Sequence, residues 1–153
     1  VELVNLNTQA GAAFKVRDAS HTAPTVTFSP VVLGADDSRW FRVTAGAFVE
    51  RTQADSLMRA LLARGILRPG EGKLLRAPLA LLVDGAVAPP DVRASLDGYV
   101  SRGVPVYALR SGDGVIRLYA GAFETPAQAG LMAATVKAAG IRPVIAYRIG
   151  RTF

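Results

Sequence analysis

The sequence predicts an α+β fold in which antiparallel sheets are covered by helices on one face, and three observations predict it. The chain repeats itself: RVTAGAFVERTQADSLMRALLARGI, residues 42–66, lies over RLYAGAFETPAQAGLMAATVKAAGI, residues 117–141, without a gap and with ten of twenty-five positions identical. Each copy reads as a strand, a Gly-containing bend, an amphipathic helix and a helix-ending glycine. Strand, helix and strand signals precede the second copy, so the order from residue 78 onward is β-α-β-β-α-β.

Residues 1–24 read as irregular, with a short strand at 12–16 and loop signals at Gly11, 18–22 and Pro24. Residues 25–33, rich in Thr, Val and Phe, fold back through the turn GADDS at 34–38 onto a strand at 39–45; Pro30 puts the first of these at an edge or a bulge. Alternation in the second strand places Phe41, Val43 and Ala45 on the core side and Trp40, Arg42 and Thr44 on the other. A helix over 52–64 follows, with Thr52 and Asp55 as a capping box, Leu57, Met58, Leu61 and Leu62 on one face, and Gly65 as its stop.

Pro69, Gly70 and Gly72 break the chain before KLLRAPLALLVD, which Pro78 interrupts, so that it reads as two short strands or one bent one with residues 79–83 central and buried. A helix over 91–102 carries Val92, Leu96, Tyr99 and Val100 on its apolar stripe and ends at Gly103. Strands at 104–110 and 115–120 are joined by Ser-Gly-Asp-Gly, a hairpin signal. The last helix, 125–139, has Thr125 at its N-cap, Pro126 at its first position, Gln128 three residues after the cap and Gly140 beyond its end, and a strand at 142–149 follows. The order is that of a ferredoxin-like, RNP-like unit over residues 78–153, with residues 1–77 as a second, incomplete copy lacking its first helix.

Fifteen arginines and three lysines against twelve acids give a formal charge of +6, spread without a basic run. Such a balance is a solvated surface or a long-range pull on an anionic partner, for which Arg offers a planar two-point fork. Absence of cysteine removes thiolate, CxxC redox and Cys-zinc chemistry, and half the residues being hydrophobic makes disulfides and metals dispensable for folding. No window has the ~20 apolar residues of a membrane-spanning helix. The first residue is Val, as expected of a processed chain or a piece of a longer one.

At FRVTAGAF and IRLYAGAF, each followed by a helix that ends in Gly-Ile, the sequence resembles the SPOR family, the sporulation-related repeat. The likeness covers residues 78–148 over the whole order of elements and residues 40–66 over the second half. It implies a non-catalytic domain in the bacterial cell envelope that binds peptidoglycan, particularly glycan strands stripped of their stem peptides at division sites. The strand position often held by Gln in that family is Thr44 in one copy and Tyr119 in the other, so no amide contact to the glycan is carried over.

A stripped glycan offers sugar faces, amides and a lactyl carboxylate, which call for aromatic platforms, hydrogen-bonding side chains and arginines on an open surface. On the helix-free side of the repeated strands, Arg117, Tyr119, Trp40, Arg42 and Thr44 are of those types, with Tyr107 and Tyr147 as further candidates. Trp40 also fits a packing role between the two units. An enzyme is set aside: His21 is the one histidine and lies in a loop, no GxSxG elbow or phosphate-binding loop occurs, Asp36, Asp37 and Asp113 are turn residues, and no cofactor or metal is implied. Two other readings stand beside the glycan one: an RNA-binding, RRM-like module, against which the aromatic signature is missing, and a protein-interaction scaffold that uses the sheet face.

Overall fold

The computed structural model describes residues 1–35 and 37–153. It is an α+β structure with four α-helices and two antiparallel sheets. The first sheet is formed by β1 (Glu2–Leu6), β2 (Thr27–Leu33) and β3 (Ser38–Thr44) in the order β1-β3-β2. The second is formed by β4 (Leu79–Val87), β5 (Val106–Arg110), β6 (Ile116–Phe123), β7 (Val144–Tyr147) and β8 (Arg151–Thr152), in the order β7-β4-β6-β5-β8. Asp36, expected in the turn between β2 and β3, lies outside the described residues.

The N-terminal segment is not irregular. It holds β1 and a full helix, α1 (Gln9–Ala19), where the sequence predicts no helix. The buried face of α1 is Ala12, Val16 and Ala19, with Phe14 65% exposed. Two alanines and a valine thus carry the core-facing periodicity while the one aromatic residue, Phe14, points outward, which inverts the usual signature of an amphipathic helix. Thr8 caps the helix, its Oγ1 accepting from Gly11 N at 3.2 Å. What the first sheet lacks is a fourth strand: beside β1 there is a single bridge, in which Glu2 N donates to Lys73 O at 2.8 Å.

Helix α2 (Arg51–Ala63) begins one residue before the expected start, and its N-cap residue, Glu50, makes no side-chain cap. The expected capping box does not form: Thr52 lies inside the first turn and its carbonyl accepts from Ser56 Oγ, while Asp55 turns to Arg51 at 3.7 Å. Helix α3 (Val92–Val100) follows a 3-10 turn at Pro89–Asp91. Helix α4 (Pro126–Ala138) starts as expected, with Thr125 Oγ1 accepting from Gln128 N and Gln128 Oε1 accepting from Glu124 N at 2.8 Å.

The two Gly-Ala-Phe bends share one construction. Gly46 has φ +83° and Gly121 φ +73°, and in each case the phenylalanine two residues on (Phe48, Phe123) lays its ring where a Cβ on the glycine would stand. A side chain at either position meets both left-handed backbone strain and an aromatic ring. One apolar core then runs through both sheets, with Phe28, Val43 and Leu61 from the first part of the chain and Leu81, Phe123 and Met132 from the second. Across this seam hydroxyls replace a strand ladder. Thr27 Oγ1 donates to Pro105 O (2.8 Å) and accepts from Gly121 N (3.1 Å), and Ser29 Oγ donates to Ala122 O (3.1 Å) and accepts from Ala122 N (2.8 Å). Each such bond contributes about 0.5–1.5 kcal/mol and leaves no backbone donor orphaned there.

Between β7 at one edge of the second sheet and β8 at the other there are only Arg148, Ile149 and Gly150. Four residue steps reach at most about 14 Å, whereas five flat strands would hold the edges about 19 Å apart. The sheet is therefore curled, in keeping with three register shifts along the β4–β6 ladder. The connection lies across the helix-free face: the Arg148 guanidinium sits 6.0 Å from the Tyr107 ring centroid, and Ile149 shares a recess with Leu82 and Tyr119. Gly150 runs so close to β5 that a Cβ on it would stand 2.5 Å from Arg110 O.

Candidate functional site

This crossing decides the fate of the residues proposed for an open face. In β6 the alternation is as expected, since Leu118 packs towards α3 and Tyr119 belongs to a separate cluster with Ala80, Tyr107 and Leu109 on the other side. That side is closed. Tyr119 is 1% and Tyr107 4% exposed, and their rings stack with centroids 6.1 Å apart. The Tyr107 hydroxyl donates to Gly121 O at 2.9 Å, and burial pushes its pKa up, against the pull of Arg148 whose Nη1 lies 3.4 Å from the hydroxyl. Neither ring is available to a ligand.

Arg117 folds back on the β5–β6 turn, where Nη1 donates to Ser111 Oγ and Nη2 pairs with Asp113 at 3.3 Å. The Asp113 carboxylate accepts from Ser111 Oγ, Val115 N and Arg117, which together hold its pKa at about 2. The first sheet's free side is occupied too. Arg42 lies between Glu2 and Glu124, 3.1 Å from each, and Thr44 is buried opposite Thr27. The Arg42–Glu2 approach is off the Nε–H direction, so it is an ionic contact and not a hydrogen bond, and Nε stays without a hydrogen-bond partner. Trp40 is half-buried opposite Val31. Of the seven predicted residues only Tyr147, 67% exposed on β7, is fully presented to solvent.

Besides the recess at Leu82, Arg117, Tyr119 and Ile149, a concave groove lies between the β3–α2 loop, the segment before β4, and the crossing connection. One recess of about 570 Å³ is lined by Phe48, Val49, Glu50, Arg51, Leu74, Arg76, Tyr147 and Arg148 among others. A second, of about 640 Å³, adjoins it at Val49 and Gly150 and is lined by Arg110, Arg151, Thr152 and Phe153. Val49 is 88% exposed, and Phe153 lies under the Arg110 guanidinium, 4.8 Å from Cζ. Five arginines and one carboxylate, Glu50, therefore line the joined groove, alongside exposed aromatic and aliphatic side chains. That combination takes an extended anionic ligand that also has apolar faces.

Sequence reasoning missed Phe48, Val49, Arg51 and Arg76 because it looked only at strand faces. The usable signal was charge: no Asp or Glu follows Glu124, while Lys137, Arg142, Arg148 and Arg151 do. Among the described residues no three His, Cys, Asp or Glu side chains are placed to hold a metal, and no helix is long and apolar enough to cross a membrane. Compared with protein-family models, curated proteins and solved structures, the chain matches none.

Proposed function

We propose that the chain is a non-catalytic module of the bacterial cell envelope that binds peptidoglycan glycan strands, in the manner of SPOR domains at division sites. The order β4-α3-β5-β6-α4-β7, with β4 and β6 central, supports a ferredoxin-like second unit. The β1-α1-β2-β3-α2 order, with one bridge beside β1, supports a first copy short of its last strand. The shared Gly-Ala-Phe bends support reading the two as repeats.

The observation that carries the functional reading is the groove of five arginines and one carboxylate with Tyr147, Phe48 and Val49 exposed beside them. A polymer with a carboxylate on each disaccharide and flat sugar faces matches adjoining recesses lined by several cations and rings. The same observations weigh against an RRM-like reading, since the tyrosines that would stack bases are buried on the face crossed by residues 148–150. The experiment is co-sedimentation with purified sacculi before and after amidase removal of stem peptides. Stronger binding to stripped sacculi without glycan turnover supports the reading. Equal binding to both, or tighter binding to single-stranded RNA with a steep salt slope, rejects it.

A further inference from the structure

The outer edge of β7 has no strand beside it. Arg148 N donates to Pro78 O at 2.8 Å, and the ladder continues as Ala80↔Ala146 and Leu82↔Val144. Alternate residues of an antiparallel strand direct N–H and C=O to the same side. Val144, Ala146 and Arg148 therefore face β4, and Ile145 and Tyr147 turn their N–H and C=O outward. β7 ends the strand order, so no further strand takes these two donors and two acceptors.

Apart from its shortness, four residues, the usual protections of an edge are missing from it. β7 carries no charged side chain and no proline, and its ladder with β4 has no bulge. Val144 is 62%, Ile145 44% and Tyr147 67% exposed. Charge around this edge is mainly positive: Arg142 precedes it, Arg148 follows it, and Arg51 and Arg76 line the recess that Tyr147 enters, where Glu50 is the acid present, while no acid occurs after Glu124. A second copy docked edge to edge would set Arg142 and Arg148 of both chains together, with no acid in residues 142–148 of either copy. An acidic strand meets no such repulsion.

We propose that β7 is a strand-addition site for an extended acidic segment of a partner protein, with carboxylates alternating with apolar residues. The inference rests on backbone geometry and local charge and does not depend on glycan binding.

The test uses the chain as it is and three probes read by fluorescence anisotropy, with amide chemical shifts locating the site. The probes are a peptide alternating Glu and Val, the same peptide with Lys for Glu, and the Glu peptide N-methylated at alternate residues. The Glu peptide should bind and shift the Ile145 and Tyr147 amides. N-methylation, which keeps charge and composition but removes donors, should weaken binding about tenfold or more, and the Lys peptide should not bind. Ile145→Pro, which removes an outward N–H and leaves the β4 ladder intact, should weaken the Glu peptide to a similar degree. Equal binding of the N-methylated or Lys peptide overturns the proposal. So does concentration-dependent dimerisation of the free chain that shifts the same two amides.

Discussion

Tyr119→Ala is the substitution on which sequence and structure disagree most. Read as an exposed platform residue, Tyr119 could be truncated with little effect on stability. The structure instead puts it at 1% exposure, stacked on Tyr107 and packed with Ala80 and Leu109. Truncating a fully buried aromatic costs about 3–5 kcal/mol, because the lost transfer energy is joined by an unfilled cavity. Against a total of about 5–15 kcal/mol that is a large fraction of the protein's stability. At about 2–4 °C per kcal/mol for a chain of this size, the melting temperature should fall by about 6–20 °C. Equilibrium urea denaturation measures it, with Tyr147→Ala as the comparison, which at an exposed edge should stay within about 0.5 kcal/mol. A Tyr119→Ala midpoint close to the parent's would refute the enclosed face and the crossing of residues 148–150 over it.

Gly121→Ala should cost more than Gly140→Ala: both have left-handed φ, +73° and +78°, but a Cβ at 121 meets the Phe123 ring and Met132 Sδ at 3.0 Å, while nothing lies within 4 Å at 140. Backbone strain of about 1–2 kcal/mol is common to both, and overpacking adds about 1–3 kcal/mol at 121 alone, so equal thermal shifts would count against the Gly-Ala-Phe construction. Asp113, held at about 2 instead of 3.8, stabilises the β5–β6 turn above pH 3.8 and loses that contribution as pH falls through 2. In acid titrations Asp113→Asn should therefore be less stable than the parent at neutral pH, with the gap closing by pH 2; a gap that does not depend on pH would contradict the carboxylate's role.

The legible parts of the fold were those where a residue type has one structural reading. Phe41, Val43 and Ala45 are core residues, as their alternation with polar neighbours implies, and Thr125, Pro126 and Gln128 start α4 where capping chemistry puts them. Helix α1 was illegible because Ala12, Val16 and Ala19 bury so little surface each that no apolar stripe stands out. β8 was illegible because Arg151 and Thr152 are a two-residue strand held by pairing to β5, with no pattern of its own. The candidate site failed for a related reason: alternation tells which side of a strand a residue occupies and says nothing of what covers that side. Tyr119 and Thr44 face as expected and are buried by segments distant in sequence, Ile149 beside one and Thr27 beside the other.

The measurement that bears most directly on the proposed function is binding to amidase-stripped sacculi by the Arg51→Glu/Arg76→Glu double variant, with Tyr119→Phe as the control. Both arginines are exposed and line the groove, so reversing them leaves the core untouched. An exposed ion pair is worth about 0.2–1 kcal/mol, and reversal replaces two attractions with two repulsions, so affinity should fall about tenfold or more. Tyr119→Phe should bind like the parent because its ring is sealed from ligand. Undiminished binding by the double variant would contradict the groove as the site, and loss of binding in Tyr119→Phe alone would return the site to the sheet face.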